Sequence, residues 1–196
     1  MIVGIDLAGT ETRPTGFCIL DKKMKVRTSM LYKDKQILEE VLKLRPKVVA
    51  IDAPLALPLG RKSLEKRSNI HLRECDRELL KMKIKFFPIT LGPMRSLTKR
   101  GIGLKKEIER KKIKVIETYP GAIQDILKIP RKNKGIGRLL SGLKRFGLKG
   151  LSNKMSDHEL DAATCALIGK FYLEGNYLAI GNPEEITMIL PKPKQI

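Results

Sequence analysis

The first twenty residues constrain the fold most, because they place a carboxylate at the end of a strand that must be buried. Residues 1–5 (MIVGI) are apolar apart from one glycine and rich in β-branched side chains, which predicts an interior strand. Asp6 follows, and turn-forming residues 8–16 separate it from a second apolar run at 17–20, as in a β-hairpin. A charge in such a place must be paired, hydrogen-bonded or bound to a metal. Asp6 is therefore either a turn former that bonds its own backbone or the centre of a site.

Two further predicted strands also end on an acidic residue. Residues 47–52 (KVVAID) and 114–118 (KVIET) are short apolar runs, typical of strands inside a sheet that is covered on both faces. Parallel neighbours bring their carboxyl ends to one edge of the sheet, where α/β proteins place their sites, so Asp6, Asp52 and Glu117 are expected to converge there. Structural alternatives stay open, since Asp52 could cap the turn that follows and Glu117 could pair with a basic residue.

The most helical segment of the sequence begins at Ser156 and continues to about Leu173. Ser156 and Glu159 have the spacing of a capping box. Asp157 and Asp161 are four residues apart and lie on one helical face. The apolar neighbours of Asp161 disfavour an unpaired charge, whereas Asp157 could serve only the helix dipole. The predicted catalytic acids are Asp6, Asp52, Asp161, Asp157 and Glu117.

Several carboxylates at one edge would repel one another strongly without a cation. Mg²⁺ or Mn²⁺ fits such a group, because hard cations prefer oxygen ligands. Two such ions about 4 Å apart can activate water and stabilise the leaving oxygen in phosphodiester hydrolysis. We expect His158 to be structural or to orient a ligand instead of binding metal itself. The predicted metal ligands are Asp6, Asp52, Asp157 and Asp161.

The net charge of +19 is concentrated in one segment. Residues 61–154 contain 27 Lys and Arg against 8 Asp and Glu, whereas the rest of the chain contains 13 of each. Adaptation to high temperature raises Glu together with Lys, so this one-sided excess favours binding to a polyanion. Nucleic acid, DNA or RNA, is the predicted partner, and a merely solvated basic surface is the alternative. The predicted phosphate contacts are Arg73, Arg77, Arg131, Lys132, Lys134, Arg138, Lys144 and Arg145.

The order of the predicted elements indicates an α/β protein with a mixed sheet. Three strands are followed by a helix over 34–44, a strand, further helices, a strand and the last helix. The pattern predicts helices over 70–83 and 104–112, with a Pro/Gly-containing loop over 86–97 between them. A short hairpin is expected over 177–190.

The composition is that of one globular domain spanning residues 1–196, with 42% hydrophobic and 31% charged residues. Its three cysteines are scattered and have no metal-site spacing, so we expect free thiols in a reducing compartment. Lys170 and Glu174 interrupt the longest late apolar run, which argues against a membrane span. No basic segment precedes the first strand, so no secretory signal is expected. We expect a cytoplasmic protein without a membrane partner that could form a homodimer.

The motifs GIDLAGT, VVAIDAPLALP, RECDREL, ETYP and SDHELDAATCA, in this order, resemble an uncharacterised family of predicted nucleases with the ribonuclease H-like fold. SDHELDA is also similar to the last catalytic element of Holliday-junction resolvases. The resemblance covers residues 2–175. It implies a mixed five-stranded sheet with flanking helices and a basic helical insertion before the last helix, the basic insertions lying within about 61–154.

In the superfamily of these resolvases, acids on the first and fourth strands and on the last helix bind two divalent ions. The resemblance assigns these roles to Asp6, Asp52 and the pair Asp157 and Asp161. Asp52 stands where the resolvases usually carry a glutamate. The function implied is a metal-dependent nuclease that hydrolyses phosphodiester bonds through a two-metal site.

Two other functions fit parts of the sequence. GIDLAGT also resembles the first phosphate-binding motif of the actin-like sugar kinases, which implies a single-domain nucleotide phosphohydrolase, although those kinases use two such domains. The absence of a GxxxxGK[ST] sequence excludes a P-loop enzyme. A non-catalytic nucleic-acid-binding protein that keeps the acids as remnants of the fold is the other alternative. Aromatic residues make up only 5% of the chain, which favours backbone contacts over base stacking as the main mode of binding.

Overall fold

The computed structural model describes residues 1–193, and its strands form one seven-stranded sheet with helices packed on both faces. In chain order the elements are β1 (Ile2–Asp6), β2 (Thr15–Leu20), β3 (Val26–Leu31), α1 (Asp34–Leu44), β4 (Val49–Asp52), α2 (Glu74–Lys81), α3 (Gly92–Arg110), β5 (Val115–Thr118), α4 (Pro120–Ile126), α5 (Ile136–Arg145), α6 (Asp157–Leu173), β6 (Tyr177–Ile180) and β7 (Met188–Pro191). A 3₁₀ turn, Lys132–Lys134, precedes α5.

The strand order is β3-β2-β1-β4-β5-β7-β6, in which β1, β4, β5 and β7 run parallel to one another. The hairpin predicted from the first twenty residues is confirmed, because β1 and β2 pair antiparallel. The mixed α/β class is confirmed as well, but the predicted count of five strands is wrong. The late hairpin, β6 and β7, joins the same sheet beside β5, where the Thr118 hydroxyl donates a 2.8 Å hydrogen bond to the carbonyl of Ile189.

Helix α6 lies on one face of the sheet, across β1, β2 and β4. Two glycines let its backbone approach the strands closely. A Cβ added at Gly4 would lie 2.1 Å from the carbonyl oxygen of Ala162, and one added at Gly16 would lie 2.1 Å from that of His158. Any side chain at these positions would push α6 away from the sheet, so the glycines fix the height of the helix above β1 and β2.

Helices α1 and α3 cover the opposite face, where Ile37 and Val41 pack with apolar residues of the strands. The predicted helix over 34–44 is confirmed. The predicted loop over 86–97 is wrong in its second half, because α3 begins at Gly92 and includes the predicted helix over 104–112. Pro93 lies in the first turn of α3, where the missing N–H would have no helical partner in any case.

The predicted basic helical insertion before the last helix is confirmed by α5 and the 3₁₀ turn before it. Helix α5 buries Leu139, Leu140 and Leu143 in the hydrophobic cluster that also contains the inner face of α6. Its basic side chains lie on the solvent side. Among the helices of residues 1–193, none has both the length and the apolar character needed to cross a membrane.

Candidate active site

The two strand-end aspartates lie side by side. Strands β1 and β4 pair in parallel with Asp6 directly opposite Asp52. Residues in register on neighbouring strands point to the same face of a sheet, and this is the face that α6 covers. The sequence therefore predicted correctly that Asp6 and Asp52 meet at one edge of the sheet.

Helix α6 brings the third predicted acid to this edge. Its N-terminus has the predicted capping box, since the Ser156 hydroxyl accepts a 3.2 Å hydrogen bond from the Glu159 amide. One turn into the helix, Asp161 has 11% of its side chain exposed. Its Oδ1 accepts a 2.8 Å hydrogen bond from Gln124 of α4. Asp161 is thus held toward the strands by a neighbouring helix.

A lysine from the basic segment joins the two acids of α6. The Nζ atom of Lys132 lies 2.9 Å from Oδ2 of Asp157 and 3.2 Å from Oδ2 of Asp161. This ammonium group holds the pKa of Asp157 below its ordinary value, mainly through the hydrogen bond between them. Lys132, which the sequence predicted only as a phosphate contact, therefore lies among the acids.

A histidine contacts the central aspartate. The Nδ1 atom of His158 lies 2.7 Å from Oδ2 of Asp6, and this hydrogen bond is the main cause that raises the pKa of His158. The side chain of His158 is 40% exposed and that of Asp6 is 14% exposed. His158 thereby orients the Asp6 carboxylate, in agreement with the expectation that it is structural or orients a ligand.

The acids at this edge affect one another electrostatically. Burial and then the charges of Asp6 and Asp161 raise the pKa of Asp52 well above its ordinary value. The pKa of Asp161 is also raised, first by burial and then by Asp6. Within residues 1–193, no three Asp, Glu, His or Cys side chains are arranged as a ready metal site. Within the described residues, the basic groups that contact these acids are Lys132 and His158.

The fifth predicted acid, Glu117, lies on β5, one residue before the position that pairs with Asp52. It pairs with Ile51, whereas Thr118 pairs with Asp52, so Glu117 points to the opposite face from Asp52. Its Oε2 accepts hydrogen bonds of 2.7 Å from the Arg73 guanidinium and from the Leu55 amide. Glu117 thus pairs with a basic residue, Arg73, which was the structural alternative to a catalytic role.

Arg73 is wrongly predicted as a phosphate contact. Its side chain is only 2% exposed and forms ion pairs with Asp76 at 2.9 Å and with Glu117 at 2.7 Å. Its guanidinium is thus already neutralised by two buried carboxylates and is not a surface phosphate contact. Arg77, one turn along α2, is 48% exposed and pairs with Glu74, so it stays a candidate.

The other predicted phosphate contacts are at the surface or near the site. Arg131 pairs with Asp125 and lies over the ring of Tyr119, 5.8 Å from its centroid. The remaining cations are exposed and follow one another along the 3₁₀ turn and α5. They are Lys134, Arg138, Lys144 and Arg145.

Arg100 is a site-supporting residue that sequence reasoning missed. Its guanidinium donates hydrogen bonds of 2.8 Å and 3.0 Å to the carbonyls of Ala8 and Thr10, and it pairs with Asp34 at 2.7 Å. It thereby fixes the turn that follows Asp6. Arg100 lies on the buried face of α3, four residues before Leu104, a spacing that was missed because the predicted helix began only at residue 104.

Three comparisons place this geometry among known proteins. A family model described as "Protein of unknown function (DUF429)" matches residues 4–186. The structure is similar to Thermus thermophilus RuvC in complex with a Holliday junction substrate, with 16% identity, a TM-score of 0.50, and coverage of 89% of this chain and 94% of that one. A second structure of Thermus thermophilus RuvC gives 14% identity, a TM-score of 0.50, and coverage of 89% and 95%. No curated protein matches the sequence. The resemblance deduced from the motifs is confirmed, and the fold is ribonuclease H-like.

Proposed function

The chain belongs to the DUF429 family of proteins of unknown function, and we propose that it is a metal-dependent nuclease that hydrolyses phosphodiester bonds of a nucleic acid. One observation carries the proposal: Asp6 and Asp52 lie in register at the carboxyl ends of β1 and β4, beneath the helix that carries Asp161. All of these residues lie within one sheet and its covering helix. We therefore also propose that the chain acts as a single catalytic domain.

The donor set fits a hard divalent cation. Two of its acids already bind a cation, the Lys132 ammonium, at 2.9 Å and 3.2 Å. Asp6, Asp52, Asp157 and Asp161 offer only carboxylate oxygens, which Mg²⁺ and Mn²⁺ prefer. Bound there, such ions would activate the attacking water and stabilise the leaving oxygen.

The chain's own residues prepare this site before any ion binds. Arg100 fixes the turn after Asp6, and His158 orients the Asp6 carboxylate through the 2.7 Å contact. Gln124 holds Asp161 toward the strands. Lys132 must leave the pair of acids on α6 for metal to bind there, and its 45% exposure gives it room to move into solvent.

The substrate class is supported by the surface beside the site. Exposed cations follow one another from Lys134 to Arg145, next to the turn that carries Lys132. Such a row suits a phosphate backbone, DNA or RNA. Because RuvC of the same fold has been seen with a Holliday junction substrate, four-way DNA junctions belong among the substrates to be tested. A homodimer stays a prediction, which sedimentation of the protein with and without DNA would test.

A cleavage panel tests the proposal. Duplex, junction and single-stranded DNA and RNA are incubated with the protein in Mg²⁺, in Mn²⁺ and in chelator. We expect cleavage with either metal, none in chelator, and none with Asp6→Asn. Asp21→Asn is the matched control, because Asp21 lies in the turn between β2 and β3, where asparagine can keep the contacts to the amides of Lys23 and Lys25. Equal residual cleavage by wild type and Asp6→Asn would contradict the proposal, and tight binding without cleavage would favour the non-catalytic alternative.

A further inference from the structure

A cavity of about 230 Å³ opens beside the candidate active site, between the carboxyl ends of β4 and β5 and the helices α2 and α3. Asp52 and Thr118 belong to its lining, so it is continuous with the site. Phe86, Phe87 and Tyr119 also line it. The whole chain has only five phenylalanines and four tyrosines, so this is a local concentration of aromatic rings in a chain that is otherwise poor in them.

Phe87 is the most exposed aromatic ring of this lining. With 71% of its surface accessible, it is also the most exposed large hydrophobic residue among residues 1–193. A single exposed apolar side chain is ordinary on a protein surface. One that stands at a cavity beside two other aromatic residues offers a face on which a planar ligand can stack.

One oxygen in the lining has no partner. Glu117 binds Arg73 and the Leu55 amide through Oε2, whereas its Oε1 is buried and has no hydrogen-bond partner within residues 1–193. A buried acceptor without a donor is destabilising, and a ligand N–H would remove that penalty. The lining therefore favours a ligand that carries a hydrogen-bond donor.

The charge of the lining excludes an anion. Three acids, Asp52, Asp76 and Glu117, line the cavity with the single guanidinium of Arg73, which already binds two of them. A phosphate would meet an excess of negative charge there. The volume is below the roughly 300–1,000 Å³ of sites for drug-sized ligands, which suits one ring system better than a whole nucleotide.

We propose that this cavity binds one unstacked nucleobase of the substrate strand, with the adjoining phosphate facing the divalent ions that Asp6 and Asp52 would hold. The base would stack on the aromatic lining and donate an N–H to Oε1 of Glu117. The inference rests on the proposed nuclease function and specifies its substrate class. A base inside a duplex is covered on both faces and would first have to be extruded, so the cavity favours substrates that already present an unpaired base, as single strands, bulges and branch points do.

The ligand side is tested first, by binding in chelator, where no cleavage is expected. A single-stranded oligonucleotide is scanned with one abasic residue at a time, and the dissociation constant is measured by fluorescence anisotropy. We expect one position at which loss of the base weakens binding about tenfold, the size expected for one stacked base. At that position 3-methyluracil, which lacks the N3–H, should bind more weakly than uracil. A scan with no sensitive position overturns the proposal, and equal binding of the two uracils overturns the role of Glu117.

The protein side is tested with Phe87→Ala. Because Phe87 is 71% exposed, the substitution removes little packing. We expect it to weaken binding of the intact strand about tenfold and to have no further effect on the strand with the sensitive base removed, since both changes delete the same contact. Phe87→Tyr should restore binding. Tyr32→Ala, which removes another exposed aromatic ring, is the control. Equal losses on both strands would overturn the proposal.

These outcomes separate the two proposals. A base-sensitive position without metal-dependent cleavage would contradict the nuclease function and leave the base site standing. Cleavage without a base-sensitive position would contradict the base site alone. No binding to any strand in chelator, together with no cleavage in Mg²⁺ or Mn²⁺, contradicts both.

Discussion

Two groups of acidic side chains lie at the same edge of the sheet, and each is neutralised in a different way. In the candidate active site the contacting groups are Lys132 and His158, whose side chains are 45% and 40% exposed. In the second group Arg73, Asp76 and Glu117 are each at most 3% exposed in their side chains. The carboxylates of the candidate active site therefore contact partly exposed basic groups, whereas those of the second group contact a buried one.

The difference distinguishes a structural cluster from a candidate site. Arg73 donates hydrogen bonds to both Asp76 and Glu117, and on Glu117 it shares Oε2 with a backbone amide. Losing Arg73 would therefore leave two carboxylates buried without their cation. The side chains of Lys132 and Asp157 are 45% and 38% exposed, so losing Lys132 would leave its acids next to solvent and open to another cation. Acid count and spacing along the sequence do not separate the two groups, whereas the exposure of the partner cation does.

The largest expected effect is on cleavage, in Asp6→Asn. Losing this carboxylate should lower turnover by about a thousandfold or more, since metal-bound chemistry depends on charge stabilisation. Stability should stay the same or rise, because the charge of Asp6 disfavours ionisation of Asp52 and Asp161. Turnover and the urea midpoint of the same preparation measure both. A large loss of stability would show that Asp6 is structural, like the second group.

Arg73→Met should have the largest effect on stability. Removing one partner of a buried ion pair typically costs about 3–5 kcal/mol, because the remaining charges stay buried. Urea unfolding measures the loss. Arg77→Met is the matched control, since its pair with Glu74 is half exposed and worth at most about 1 kcal/mol. Equal losses in the two variants would mean that the buried ion pairs of Arg73 contribute no more to stability than the surface pair of Arg77.

Removing exposed cations should reduce nucleic-acid binding in a salt-dependent way. We expect the double variant Arg138→Gln, Lys144→Gln to lower the slope of log affinity against log salt by about two, one for each lost phosphate contact. Both residues are exposed on α5, so stability should hardly change. Filter binding between low and moderate salt measures the slope. An unchanged slope would remove α5 from the binding surface.

The smallest effect is expected for Lys132→Met. Its ammonium competes for the acids of α6, so its loss should strengthen Mn²⁺ binding by at most about fivefold, the value of a half-exposed ion pair. Titration calorimetry measures the affinity without any cleavage. Lys134→Met is the control, because Lys134 lies in the same 3₁₀ turn and forms no ion pair within residues 1–193. Weaker Mn²⁺ binding in Lys132→Met would mean that the lysine supports the acids instead of competing for them.

The parts of the structure that local sequence determines were predictable. Apolar runs that end in an acid gave the strands β1 and β4, and parallel pairing then required Asp6 and Asp52 to meet. The capping box located the start of α6 to the residue. These features depend on neighbours in sequence, so one chain carries the full signal.

The parts that depend on distant contacts were not predictable. Arg73 meets Glu117 across 44 residues, and Arg100 meets the carbonyl of Ala8 across 92. The sequence around Arg73 gives no sign of burial, and the spacing of Arg100 before Leu104 indicates a buried helix face but not the distant carbonyls to which Arg100 donates. The joining of β6 and β7 to β5 likewise rests on tertiary pairing, which short apolar runs near the end of a chain do not reveal.

The close seating of α6 on Gly4 and Gly16 has a consequence for how the protein can vary. Main-chain atoms touch at these points, so backbone contacts set the distance between the strand-end aspartates and Asp161. Substitutions elsewhere in the hydrophobic interior leave these backbone contacts unchanged. A single methyl group at Gly16 would instead push the first turn of the helix away from the sheet. Related chains can therefore exchange much of their interior and keep the same dimensions at this edge.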